Sequence, residues 1–178
     1  MTIREIIRMG HPTLRQVALP LSTDEIQSET TERLVEDMID TLKSSGGIGI
    51  AAPQINESVR LAIIEITQTG SRYGELEPLP LTVFVNPVIT VLEETMAGSW
   101  EGCLSIPGLR GWVERSQKIL VEYLDLELNN HKRVFSDFHA TVCQHEFDHL
   151  DGHLYVDHVQ DMRNLVFESE MTHLLHSD

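Results

Sequence analysis

The heptapeptide QHEFDHL, residues 144–150, sets two histidines four positions apart with a glutamate directly after the first. On an α-helix, residues four apart project about 40° from one another and lie ~6 Å apart along the axis. His145 and His149 can therefore converge on one ion, with Glu146 beside them to take a proton from a bound water. Two imidazoles do not complete a catalytic site. Either these are ordinary core or surface histidines on a helix, or a third donor from elsewhere in the chain has to reach them.

Several residues compete for that position. The long zinc-peptidase pattern H-E-x-x-H-x-x-G-x-x-H finds its glycine in Gly152 but meets Tyr155 where its third histidine belongs. Glu168 and Glu170 lie where some metallopeptidases supply a carboxylate, although an acidic final helix explains them equally well as solvated charges. His153 lies just past the Gly152 stop and reads as a surface histidine. Cys103 sits in WEGCLSIPG near a strand end, with Pro107 and Gly108 expected to impose a turn. A lone cysteine is more often a small buried hydrophobe than a ligand. Cys143, two residues before His145, projects from roughly the opposite helical face and reads as core. On these residues alone, the choice between carboxylate and thiolate stays open.

The rest of the chain predicts an α+β fold. Ile26, Leu34, Val35, Met38, Ile39 and Leu42 recur at helical spacing over residues 23–45, with Ser22 or Thr23 to cap the start and Gly46-Gly47 to end it. VRLAIIEI, residues 59–66, is a β-branched, nearly continuous apolar run and predicts a buried strand. Residues 67–81 are rich in turn formers and predict a mobile loop. Residues 81–94 predict an extended stretch bent at Asn86-Pro87. Residues 118–129 predict a strand, with a hairpin turn at Asn129-Asn130. Helical pattern returns over 137–150, stopped at Asp151-Gly152, and again from about Val159 to Leu175.

Composition narrows the partners. The chain has 178 residues, enough for one domain with a substantial core, expected over 1–178 with 159–178 as a C-terminal helix or tail. A net charge of −15, from 28 acidic and 13 basic residues, argues against nucleic acid as a direct partner. MTIREIIRMGHP lacks a secretory apolar core, and no stretch approaches the ~20 apolar residues of a membrane span. Two cysteines without an export signal fit a reducing cytoplasm better than a disulfide framework.

GIGIAAPQ (47–54), EGCLS (101–105) and QHEFDHLDG (144–152) stand in that order along the chain. Together they closely resemble the peptide deformylase family, and the resemblance extends from about Ile6 to about Val156. It implies small antiparallel or mixed sheets packed around a central helix that carries the histidines, plus a C-terminal helix. It also implies a metal-dependent hydrolase that removes the formyl group from N-formylmethionyl nascent peptides and releases formate. The metal ligands it implies are Cys103, His145 and His149, holding one divalent ion. Ferrous iron is the family's usual metal, with zinc, nickel or cobalt as substitutes.

By the same resemblance Glu146 is the proton carrier, and the Gln54 side-chain amide and Leu104 backbone N–H are the donors to the developing oxyanion. Gly49 lets the peptide approach closely. Ile48, Phe138 and Val142 are expected to line a methionine pocket, although Phe138 and Val142 read nearly as well as ordinary core. Glu101 and Arg110 are expected to flank the substrate groove, where Arg110 either steers the peptide or, equally, forms a structural ion pair with an acidic neighbour. Some family members dock on the ribosome through a basic C-terminal helix. Here the tail carries one arginine among several acids, so the ribosome is expected only as the source of substrate.

Overall fold

In the computed structural model, which describes residues 2–67 and 77–175, the helix expected over 23–45 is two helices, α1 (Thr23–Ile26) and α2 (Glu29–Ser45). The break has a local cause. Ser22 caps α1 by accepting from the Glu25 N–H while the Glu25 carboxylate accepts from the Ser22 N–H. Ser28 then starts a second helix by accepting from the Thr31 N–H. Helix α2 ends at Gly46, which adopts a left-handed conformation.

The strands follow as β1 (Gly49–Ala51), β2 (Leu61–Ile66), β3 (Leu79–Val91), β4 (Met96–Cys103), β5 (Ile106–Ser116), β6 (Lys118–Leu124) and β7 (Asn130–Ser136). The long helix α3 (Asp137–Leu150) comes next, then a short strand β8 (Leu165–Phe167) and a final helix α4 (Met171–Leu175). Strands β1, β2, β3, β6 and β7 form one antiparallel sheet in the order β1-β2-β3-β6-β7, and β4, β5 and β8 form a second in the order β4-β5-β8.

The first sheet is covered on both faces, which explains the continuous apolar run of β2. Leu61 and Ile63 pack with Val35, Met38 and Leu42 of α2. Ala62, Ile64 and Ile66 point the other way and pack with Ala140, Cys143, Phe147 and Leu150 of α3. Phe84 links sheet to helix, its ring 4.6 Å from Tyr123 and 5.3 Å from Phe147. The bend expected at Asn86 is present: its φ is +50°, and its side chain accepts from the Leu21 N–H and donates to the Leu21 carbonyl.

Three sequence expectations are corrected. Strand β6 ends at Leu124, and the turn into β7 is built on Asp125, whose carboxylate accepts from the N–H groups of Glu127 and Asn129. Asn130 already pairs with Leu124, so the turn precedes Asn129-Asn130. Pro107 and Gly108 lie inside β5; the turn after Cys103 is Leu104-Ser105, closed by the pairing of Cys103 with Ile106.

A C-terminal helix is present but short, and the continuous helix expected from Val159 to Leu175 does not form. Residues 165–167 instead pair with Leu109, Arg110 and Gly111. Strand β5 would otherwise bare a row of backbone groups, and satisfying them outweighs the helical periodicity of the tail. Residues 68–76 of the expected mobile loop lie outside the described residues. Among the described residues no helix is long and apolar enough to cross a membrane.

Candidate metal centre

While one face of α3 enters the apolar core, His145 and His149 turn to the end of β4. There the donor atoms of Cys103, His145 and His149 all lie within 4.8 Å of one another. Cys103 Sγ is 3.3 Å from His149 Nε2. A tetrahedral ion at about 2.3 Å from sulfur and about 2.0–2.1 Å from nitrogen holds those two donors about 3.5 Å apart. Spacing and donor chemistry therefore fit one divalent ion. No other group of this kind occurs among the described residues. Glu168 lies 2.5 Å from Arg110 instead, and the exposed Glu170 and His153 stand outside the cluster.

A chain of buried charges holds the first histidine. His145 Nδ1 is 2.8 Å from Glu101 Oε2, which leaves Nε2 to face the thiol. Arg115 grips both Glu101 oxygens, at 2.8 and 3.0 Å, and donates through its third nitrogen to Asp148 at 2.6 Å. Burial alone would raise the Glu101 pKa, but the hydrogen bonds from His145 and Arg115 hold it at about 2. Burial likewise opposes ionisation of Cys103, and the neighbouring His149 and His145 outweigh it, bringing the thiol down to about 5. The sulfur is thus prepared as a thiolate, the form that binds metal.

Glu146 is walled in beside the cluster. A Cβ on Gly49 would lie 2.5 Å from Glu146 Oε1, so the carboxylate rests against bare backbone that any other residue would block. Glu146 Oε2 is buried and has no hydrogen-bond partner among the described residues. Burial raises this carboxylate to about 7 against the opposing pull of the two imidazoles. A buried oxygen without a partner is costly unless it faces something the site binds. Gln54 completes the arrangement. Its Oε1 accepts from the Ala51 N–H at 2.9 Å, which aims Nε2 at Cys103 Sγ, 3.4 Å away, and at Ser105 Oγ, 3.3 Å away.

The polypeptide deformylase family model matches residues 3–165. The chain belongs to that family. It is 39% identical over 163 residues to a peptide deformylase of Leptospira biflexa, covering 92% of this chain and 91% of that one. It is 41% identical to peptide deformylase 2 of a Nostoc species, over 96% and 93% of the two chains. Its fold superposes on the Met-Ala-Ser-bound class I type b peptide deformylase of Acinetobacter baumannii with a TM-score of 0.85 at 35% identity, covering 89% of this chain and 99% of that one. The protein is a metal-dependent hydrolase that removes the N-formyl group from nascent peptides.

In this deformylase a cavity of about 350 Å3 opens onto the cluster, lined among others by Ile48, Gly49, Gln54, Glu101, Leu104, Arg110, Phe138, Val142, His145 and Glu146. The residues expected from three separated blocks of sequence therefore meet in one place. Phe138 and Val142 line the cavity and also pack on the core. Glu101 is the partial exception. It borders the groove as expected, but its carboxylate is committed to His145 and Arg115. Arg110 also borders the groove and pairs with an acidic neighbour, Glu168.

Sequence reasoning passes over Arg115, Asp148, Tyr155 and Trp100. Arg115 is 4% exposed, and a buried arginine demands an acidic partner. That demand is readable once β5 is known to be buried, but the partner's identity is not. Tyr155 stacks on the His145 ring, centroids 6.1 Å apart and planes 19° apart, and Trp100 lines the cavity rim.

Proposed function

We propose that Cys103, His145 and His149 hold a single divalent ion, ferrous iron in the native enzyme, with zinc, nickel or cobalt able to replace it. One thiolate and two imidazoles suit all of these metals. When bound, the ion supplies Lewis-acid chemistry that acidifies a water to near neutrality. Glu146 takes the proton of that water at its unpartnered Oε2 and returns it to the departing amine nitrogen. The products are formate and a peptide with a free N-terminal amine. As the formyl oxygen gains charge, Gln54 Nε2 and the Leu104 backbone N–H donate to it.

Ile48, Phe138 and Val142 receive the methionine side chain, and Gly49 admits the peptide alongside β1, an edge strand. The substrates are N-formylmethionyl chains as they leave the ribosome in the cytoplasm, where a thiolate ligand stays reduced. The acidic tail and the net charge of −15 argue against docking on RNA.

The observation that carries this reading is the meeting of three donor atoms within 4.8 Å at the wall of a cavity that also contains Glu146. Iron-loaded enzyme assayed anaerobically releases formate from formyl-Met-Ala-Ser. Glu146→Gln lowers kcat by about 10³-fold while retaining close to one equivalent of metal. Full turnover by Glu146→Gln refutes the proton-carrier role, and a fully loaded wild-type enzyme that releases no formate refutes the whole reading.

A further inference from the structure

Two hydroxyl-bearing residues of the cavity wall have no part in the chemistry above, Ser99 of β4 and Thr141 of α3. The fold brings them to one region. Ser99 stands two residues before Glu101, on the same face of β4, and Thr141 stands one helical turn before His145. Glu101 Oε2 and His145 Nδ1 are 2.8 Å apart, so strand and helix converge where these two residues lie. Ile48, Phe138 and Val142 line the same cavity, and Thr141 sits next to Val142 and three residues after Phe138. A pocket assigned to an apolar side chain thus carries polar groups in its wall.

Thr141 is 7% exposed. A buried threonine in a helix can donate to the carbonyl four residues back, as Thr41 of α2 does to Asp37 at 2.6 Å. Thr141 makes no such bond, and neither its hydroxyl nor that of Ser99 has a hydrogen-bond partner among the described residues. The Thr141 oxygen is not sealed within the protein either, so its hydroxyl opens onto the cavity.

We propose that Thr141, together with Ser99, is a specificity-determining residue that lets the pocket accept oxidised substrate, peptides that begin with N-formylmethionine sulfoxide. The inference rests on the deformylase reading. The methionine thioether is a weak acceptor, whereas its sulfoxide places a strongly polar oxygen on a side chain of the same length. Apolar walls alone leave that oxygen buried without a partner, a cost that rejects the oxidised peptide. A hydroxyl donor in the wall replaces the water that the oxygen gives up. Ile48, Phe138 and Val142 hold the methylenes and terminal methyl in both forms, so unoxidised methionine enters the same pocket. The sulfur takes no part in the hydrolysis, and the product peptide still carries the sulfoxide.

The test compares kcat/KM on the metal-loaded full chain for formyl-Met-Ala-Ser, its methionine sulfoxide counterpart and formyl-norleucyl-Ala-Ser. The wild type prefers methionine to its sulfoxide by no more than about tenfold, a measurement that requires no variant to fold. Thr141→Val keeps the side-chain shape, removes the hydroxyl and raises the methionine-to-sulfoxide ratio by at least about threefold. The methionine-to-norleucine ratio stays within about threefold in the same variant, because norleucine offers the hydroxyl no acceptor. Thr141→Ser retains the hydroxyl and keeps the wild-type ratio, and Thr141→Ala is held to the same limit as valine if the valine variant does not fold. A wild-type preference above about tenfold, or a sulfoxide ratio that moves less than about threefold on loss of the hydroxyl, overturns the proposal. So does a rise in both ratios together, which marks general damage to the pocket. Each of these is distinct from failure of the enzymatic reading, which appears as no formate from formyl-Met-Ala-Ser.

Discussion

Cys103 and Cys143 are two thiols near the same helix, and their surroundings give them opposite chemistry. Cys143 is fully buried on the face of α3 that packs with Ala62, Ile64 and Phe84, and burial pushes its thiol above the ordinary range. Cys103 is nearly as buried, at 9% exposed, yet its thiol is held at about 5 by two imidazoles from the other face of that helix. Burial by itself decides neither case. In an apolar cluster it suppresses the thiolate; where cationic or ligand groups share the cavity, the same low dielectric strengthens their grip on it. One helix thus anchors the core with one side and sets two imidazoles beside Cys103 with the other.

The largest expected effect comes from breaking the reactive side. Cys103→Ala loses its tight metal binding and at least about 10³-fold of kcat/KM while remaining folded, as read by metal analysis and circular dichroism. Retention of one equivalent of metal by that variant would remove the thiolate from the ligand set and with it the contrast between the two cysteines. A smaller effect is expected from the residue that orients His145. Glu101→Gln weakens metal affinity by about 10- to 100-fold in competition with a chelator, because the ring loses its charged partner and Arg115 loses its bidentate acceptor. An unchanged affinity would show that packing against Tyr155 suffices to orient the ring.

The smallest effect belongs to the apolar side. Cys143→Ala costs about 1 kcal/mol of stability through lost packing, a fall of about 2–4 °C in melting temperature, with metal content and kcat/KM unchanged. A loss of metal comparable to that of Cys103→Ala would mean that the two faces of α3 are not energetically separate.

Legibility in the sequence followed the range of the forces involved. The helix at 137–150, the buried strand expected at 59–66 and the bend at Asn86 depend on periodicity and local backbone preference; helix and bend are found where the residues put them, and the strand forms over Leu61–Ile66. The expected helix over 159–175 fails because the open edge of β5, some fifty residues earlier, recruits Leu165–Phe167 as a strand. The same long-range pairing carries Glu168 to Arg110, which no spacing in the tail foretells. Likewise the turn after Cys103 forms at Leu104-Ser105 and not at Pro107-Gly108, because pairing across β4 and β5 sets the register.

By itself, then, the amino-acid order determined that His145, Glu146 and His149 share a helix and can act on one ion, since four-residue spacing is a property of the helix alone. With EGCLS and GIGIAAPQ it also marked the family. What only the tertiary structure decided is which donor among Cys103, Glu168 and Glu170 stands beside those rings, and what charge lines the groove beyond them. The reason is physical: those partners come from separate strands, and their distances are set by sheet register and core packing, not by separation along the chain.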